Sequence, residues 1–156
     1  ATAQGLRAIS GPGKYTMTPG SGREVTINVS GTLSDGQTVR SSQKFRIKDI
    51  PSPRGAVRKE MGYVKMPKTT LDRVTVSAEL PDFDFDLKLA TSGFTIKVPG
   101  QSAVVVRGNK MNAQAKEAIA KAKRGDVIGI FDIKSSLIGN SSYKIKNAAA
   151  ISIEIQ

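Results

Sequence analysis

The chain contains no cysteine, no histidine and no tryptophan. Without those side chains it has no disulfide, no thiol nucleophile, no Cys/His zinc site and no Ser-His-Asp triad. Aromatic residues are scarce, with three Tyr and five Phe among 156 residues. Most of them fall at alternating positions of strand-like segments, which leaves few rings for stacking on bases. No run of about 18 apolar residues is present to cross a bilayer. The first residues, ATAQGLRAIS, lack the charged-then-apolar plan of a signal peptide, and residue 1 is expected to be a cut inside a longer chain. The absence of cysteine suits an oxidising compartment.

What the chain does have is positive charge, +11 in formal terms. The excess is spread over both halves, and it is not interleaved with aromatic side chains as a nucleic-acid platform would be. A hydrophobic fraction of 38% with 24% charged residues is that of a globular protein long enough to bury a core without metals or disulfides.

Residues 1–50 read as four short strands between turn signals. In EVTINVS, Val25, Ile27 and Val29 alternate with Glu24, Thr26 and Asn28, the period of a half-buried strand. Phe45 and Ile47 alternate with Arg46 and Lys48 in the same way. SDGQ at 34–37 carries the Asp-Gly pair of a tight hairpin. Four strands make only part of an immunoglobulin-type sandwich, which needs about seven. The module is therefore either truncated at residue 1 or completed by strands from elsewhere.

Pro51 and Pro53 end the last of these strands, since proline donates no ladder hydrogen bond. Residues 50–68 are polar and weakly periodic, and are expected to form a connector and an exposed basic loop. Beyond it, Val74, Val76 and Ala78 alternate with Arg73, Thr75 and Ser77. The alternation continues through Phe83, Phe85, Leu87 and Leu89, with a turn expected at Ser92-Gly93, and resumes with Phe94, Ile96 and Val98. SAVVVRG adds another strand.

The period then changes. Met111, Ala115, Ala118, Ile119 and Ala122 fall at helical spacing, with Asn109 or Asn112 available as N-cap and Gly125 as a left-handed C-terminal cap. DVIGIFDIKSS follows as a buried strand, LIGNSSYKI as a loop or hairpin around Gly139-Asn140, and Ile151, Ile153 and Ile155 alternate in the last strand. The fold class expected is mainly β: an Ig-like β-sandwich portion over residues 1–49, then a β-rich module with one α-helix over residues 50–156.

Two constellations carry charge in a pattern. DFDFD sets Asp82, Asp84 and Asp86 at spacing two, on one face of an expected strand. Calcium ligands must wrap around the ion, and a straight row cannot, so a solvated acidic face opposite Phe83 and Phe85 is expected in place of a metal site. The basic run supplies Arg54, Arg58, Lys59, Lys65 and Lys68 as candidate partner-binding residues, against the alternative of an ordinary solvated loop. The glycine-rich pieces SGPG, PGSG and RGNK match neither the phosphate-loop nor the dinucleotide spacing and read as turns. No spacing points to a general acid and base, so neither catalysis nor a cofactor is expected.

Phe45 to Pro53 (FRIKDIPSP), then Gly62, then LDRVTVSAELPDFDFDLKLATSGFTI, then RGDVIGIFDIKS resemble the C-terminal periplasmic region of the GldM/PorM family. Those proteins form the periplasm-spanning arm of the type IX secretion and gliding-motility motor. Residues 1–44 look like the end of the family's penultimate immunoglobulin-like module. The resemblance implies a parent anchored in the inner membrane, paired there with PorL or GldL, and dimerised along its length as a homodimer. Its last module would contact the ring proteins PorK/PorN or GldK/GldN, with no nucleic acid as partner. Two readings from other classes stand beside it: a basic surface module for polyanions such as nucleic acid or anionic lipid, and a carbohydrate-binding sandwich. The second would expose an aromatic platform.

Overall fold

The computed structural model describes residues 1–140 and 143–156. They divide into two compact units, Ala1–Asp49 and Ile50–Gln156.

The first unit consists of two hairpins. Strand β1 (Leu6–Ala8) pairs antiparallel with β2 (Tyr15–Met17), and β3 (Glu24–Thr32) pairs with β4 (Thr38–Arg46) from Glu24↔Arg46 to Thr32↔Thr38. The β3–β4 turn follows from its Asp-Gly pair. Gly36 takes φ +85°, Leu33 N–H donates to the Gln37 carbonyl at 2.8 Å, and the Asp35 carboxylate accepts from Gln37 N–H at 2.9 Å. Residues directly opposite share a face. The register therefore sets Val25, Ile27 and Val29 beside Phe45 and Val39, while Glu24, Thr26 and Asn28 face the other way with Arg46, Lys44 and Ser42. The apolar face is left largely open: Val29, Val39 and Phe45 are 49%, 48% and 49% exposed, and no residue of this unit is fully buried.

The second unit opens with three strands, β5 (Arg54–Val57), β6 (Glu60–Met61) and β7 (Tyr63–Met66), then a one-turn helix α1 (Lys68–Leu71) and β8 (Val76–Glu79). It continues through β9 (Leu89–Lys97), β10 (Val104–Arg107), helix α2 (Ala113–Ala120), β11 (Val127–Leu137) and β12 (Ile151–Ile155). One sheet has the order β10-β9-β11-β12-β7, antiparallel except for the parallel β12–β7 pair, and a second has the order β6-β5-β8. A single core cluster fills the unit. It includes the fully buried Met66, Leu71, Ile96, Ile119, Ile133 and Ile151, and the five apolar positions of the helical stripe, Met111, Ala115, Ala118, Ile119 and Ala122, all belong to it. Asn112 caps α2, its side-chain oxygen accepting from Ala115 N–H at 2.8 Å.

Four expectations are corrected. Residues 54–68 form no exposed loop but three short strands and the start of α1, with Ala56, Val57, Val64 and Met66 buried. The stretch 82–88 is no strand: the β5–β8 ladder stops at Arg54↔Glu79, where Pro53 precedes one strand and Leu80-Pro81 follow the other. With no donor on either proline, the ladder cannot extend, and Asp82 turns into the left-handed region at φ +60°.

No turn occurs at Ser92-Gly93, because β9 continues through the pair without reversing. A Cβ on Gly93 would lie 3.0 Å from the Val106 carbonyl, so the glycine serves close approach of β10. The register with β11 shifts twice here: between Phe131 and Lys134 the extra residue is on β11, where Asp132 has φ +50°, and between Lys134 and Ser135 it is on β9, at Ser92. Finally, α2 ends at Ala120, and Gly125 bonds to the Ile155 carbonyl at 2.8 Å, closing the approach to β11 where a helix cap was expected. The loop expected over LIGNSSYKI lies in part at residues 141 and 142, outside the described residues.

Candidate functional site

The five basic candidates are separated by the fold. Arg54 opens β5 opposite Glu79. Val57↔Glu60 is the last pair of the β5–β6 hairpin, so Arg58 and Lys59 form a two-residue turn, with φ +54° and +66°. Two successive positive φ values are the type I′ geometry that Asn-Gly fills without strain. Here two long cations occupy it, at a cost on the order of 1 kcal/mol each.

Lys65 belongs to a different group. It lies on β7 directly opposite Glu154 of β12, and its ammonium is 3.1 Å from Glu154 Oε2. Tyr63, one position along the same face, donates its phenolic hydroxyl to the same carboxylate. The tyrosine hydrogen bond first, and the Lys65 bond after it, hold the Glu154 carboxyl below the usual value, while the carboxylate pushes the Tyr63 hydroxyl up. Lys68 has turned to a helix end. Its ammonium donates to the Ala120 carbonyl at 3.1 Å and the Ala122 carbonyl at 3.4 Å, satisfying carbonyls that α2 leaves unbonded and complementing its negative end.

The acidic candidates do not share a flat face. Asp82, Asp84 and Asp86 lie in the bend between β8 and β9, all exposed. Phe83 is partly buried and packs against Phe85 with ring centroids 5.5 Å apart at 58°, while Phe85 itself is 56% exposed. Among the described residues no group of three or more His, Cys, Asp or Glu is placed to hold a metal ion.

Sequence reasoning missed the Tyr63–Glu154–Lys65 cluster and the residues that face Arg58 across a cleft, Thr69, Thr70 and Arg73. Alternation along YVK and ISIEI places Tyr63 and Lys65 on one face and Glu154 on another strand's face. Only the parallel β7–β12 pairing makes those faces one.

The GldM C-terminal domain matches residues 51–156, and the GldM third domain matches residues 1–48. The chain belongs to the GldM family. It is thereby a component of the gliding and type IX secretion machinery. The boundary between the two GldM matches falls beside the division of the fold at Asp49–Ile50: FRIK closes the third-domain match, Asp49 and Ile50 lie between the two, and Pro51-Ser52-Pro53 opens the C-terminal one. No curated protein matches the chain. No helix among the described residues is long and apolar enough to cross a membrane.

Proposed function

We propose that this chain is a non-enzymatic structural and interaction module of the type IX secretion and gliding motor, lying in the periplasm as part of an inner-membrane-anchored parent. In this reading it passes motion from the PorL or GldL motor partner to the outer-membrane-associated ring, PorK/PorN or GldK/GldN. The observation that carries the reading is the match to two successive GldM domains in chain order, which together cover both structural units.

The open apolar face of β3–β4 supports the interaction role. A two-stranded sheet with no buried residue is marginal by itself, so we read residues 1–49 as part of an Ig-like module whose remaining strands come from further chain or, by exchange, from the second subunit of a homodimer. The exposed cations and the acidic bend at Asp82, Asp84 and Asp86 supply charge for docking, which sets orientation and encounter rate more than affinity.

The test is a pull-down of the ring proteins by the dimeric chain, with light scattering to verify the dimer. Capture of the ring lipoprotein and its companion is the expected result. A monomer, or a dimer that captures neither, overturns the reading. Affinity for any polyanion that falls steeply with salt would favour the polyanion-binding alternative.

A further inference from the structure

The strained β5–β6 turn holds Arg58 over a cleft of about 650 Å³ lined by Arg58, Thr69, Thr70, Arg73, Val74 and Thr75. No carboxylate lines it. Each arginine has one acid nearby, approached by Nε: Arg58 to Glu60 at 3.9 Å, Arg73 to Asp72 at 3.7 Å. Both distances exceed hydrogen-bond reach. The terminal guanidinium nitrogens, which form the fork that grips a carboxylate or phosphate in bidentate fashion, have no partner among the described residues. The two side chains are 59% and 83% exposed.

We propose that this cleft is an anion-recognition site that takes an extended, carboxylate-bearing segment of a protein partner. The inference rests on reading the chain as an interaction module and names the site within it. Three features favour an acidic peptide. Two arginine forks match carboxylate geometry, and three threonine hydroxyls both donate and accept, as peptide amides require. No aromatic ring lines the cleft to stack a base. The cleft is a shallow, open groove confined to the β5–β6 tip and the segment around α1, whereas an anionic membrane is met by a basic amphipathic face or a polybasic run. The turn geometry adds a separate observation, since two cations kept in left-handed backbone, where Asn-Gly would relax the strain, indicate a function for the tip.

The experiment is an anisotropy titration of fluorescein-labelled hexa-aspartate with the full chain. The double variant Arg58→Gln/Arg73→Gln is expected to weaken binding at least tenfold. Lys123→Gln/Arg124→Gln, which removes the same charge from an exposed turn elsewhere, is expected to weaken it less than twofold. Unchanged thermal melting of both variants verifies the fold, and the Arg58 and Arg73 Nε–Hε resonances should shift on peptide addition. Equal weakening by the two double variants, or no binding of hexa-aspartate by the parent chain, overturns the site. So does tighter binding of an oligonucleotide or of phosphatidylglycerol vesicles through the same two arginines, which would assign the cleft to another class of ligand. The outcomes separate from those of the motor reading: ring capture that survives Arg58→Gln/Arg73→Gln removes the cleft and keeps the motor role. Peptide binding by a chain that captures no ring protein does the reverse.

Discussion

Gly55 and Ile133 leave no space between them: a Cβ on Gly55 would lie 2.4 Å from Ile133 Cδ1, and also 2.6 Å from the Ala149 carbonyl and 2.9 Å from Ile151 Cγ1. Gly55 N–H donates to that same carbonyl at 2.9 Å, which fixes β5 against the core. The isoleucine tip can rotate away, but the Ala149 backbone cannot. Gly55→Ala is therefore expected to destabilise the chain by about 1–3 kcal/mol or more. Urea unfolding checks this, and adding Ile133→Val should restore only part of the loss. A change under about 0.5 kcal/mol, the scale of an ordinary surface substitution, would contradict the packing.

The hairpin tip gives a prediction of opposite sign. Lys59→Gly relieves a left-handed residue at φ +66°, and after the greater backbone entropy of glycine in the unfolded chain is set against it, a gain of about 0.5 kcal/mol is expected. Lys59→Ala removes the same charge but keeps the strained geometry, so it should give no gain. Differential scanning calorimetry of the two variants separates strain from charge.

Asn112 caps the N-terminal end of α2 through its side-chain oxygen. Asn112→Ala is expected to cost about 1 kcal/mol, and Asn112→Asp to retain most of the stability because its carboxylate can accept the same Ala115 N–H. Thermal melts followed by circular dichroism decide it. Equal losses in both variants would show that packing and not the cap was disturbed.

The Tyr63–Glu154 pair makes stability depend on pH at both ends. The Glu154 pKa is lowered in the fold, so its contribution is present above the ordinary carboxyl value and is lost as pH falls through the folded one. Tyr63 is raised, so its contribution is present below the ordinary phenol value and is lost as pH rises through the folded one. Carbonyl-detected NMR titration should find Glu154 titrating low. Tyr63→Phe and Lys65→Met should each move it up, because both side chains hold the carboxyl down. A titration unmoved by Tyr63→Phe would remove the hydrogen bond from the account.

Much of the fold was legible because its signals are local. The Asp35-Gly36 turn, the alternation of β3, β8 and β12, and the helical stripe of α2 each depend on residues within a few positions of one another. The capping side chain, Asn112, is one of the two asparagines that precede α2. The segment 54–68 was misread for the converse reason. Its buried residues, Ala56, Val57, Val64 and Met66, are interleaved with Arg and Lys in strands of two to four residues, too short to show a period. Their ladder partners lie at Val76–Glu79 and Ile151–Ile155. DFDFD shows the opposite error, a faultless alternation that lacks a ladder because Pro81 cuts it off from β8 and Pro53 ends β5, the strand it would pair with.

The candidate site divides along the same line. By itself, the sequence determined the charge of the chain, the residues able to carry it, the exclusion of cysteine and histidine chemistry, and the family signature, since all of these are properties of composition and short-range order. The tertiary structure alone decided that Lys68 closes a helix end, that Lys65 joins Tyr63 on Glu154, and that Arg58 meets Arg73 across a cleft. Each of those pairings joins residues far apart in the chain, and the one on Glu154 is set by strand register. Register follows from which apolar side chains can be buried together, and a one-residue slip would send every charge to the other face.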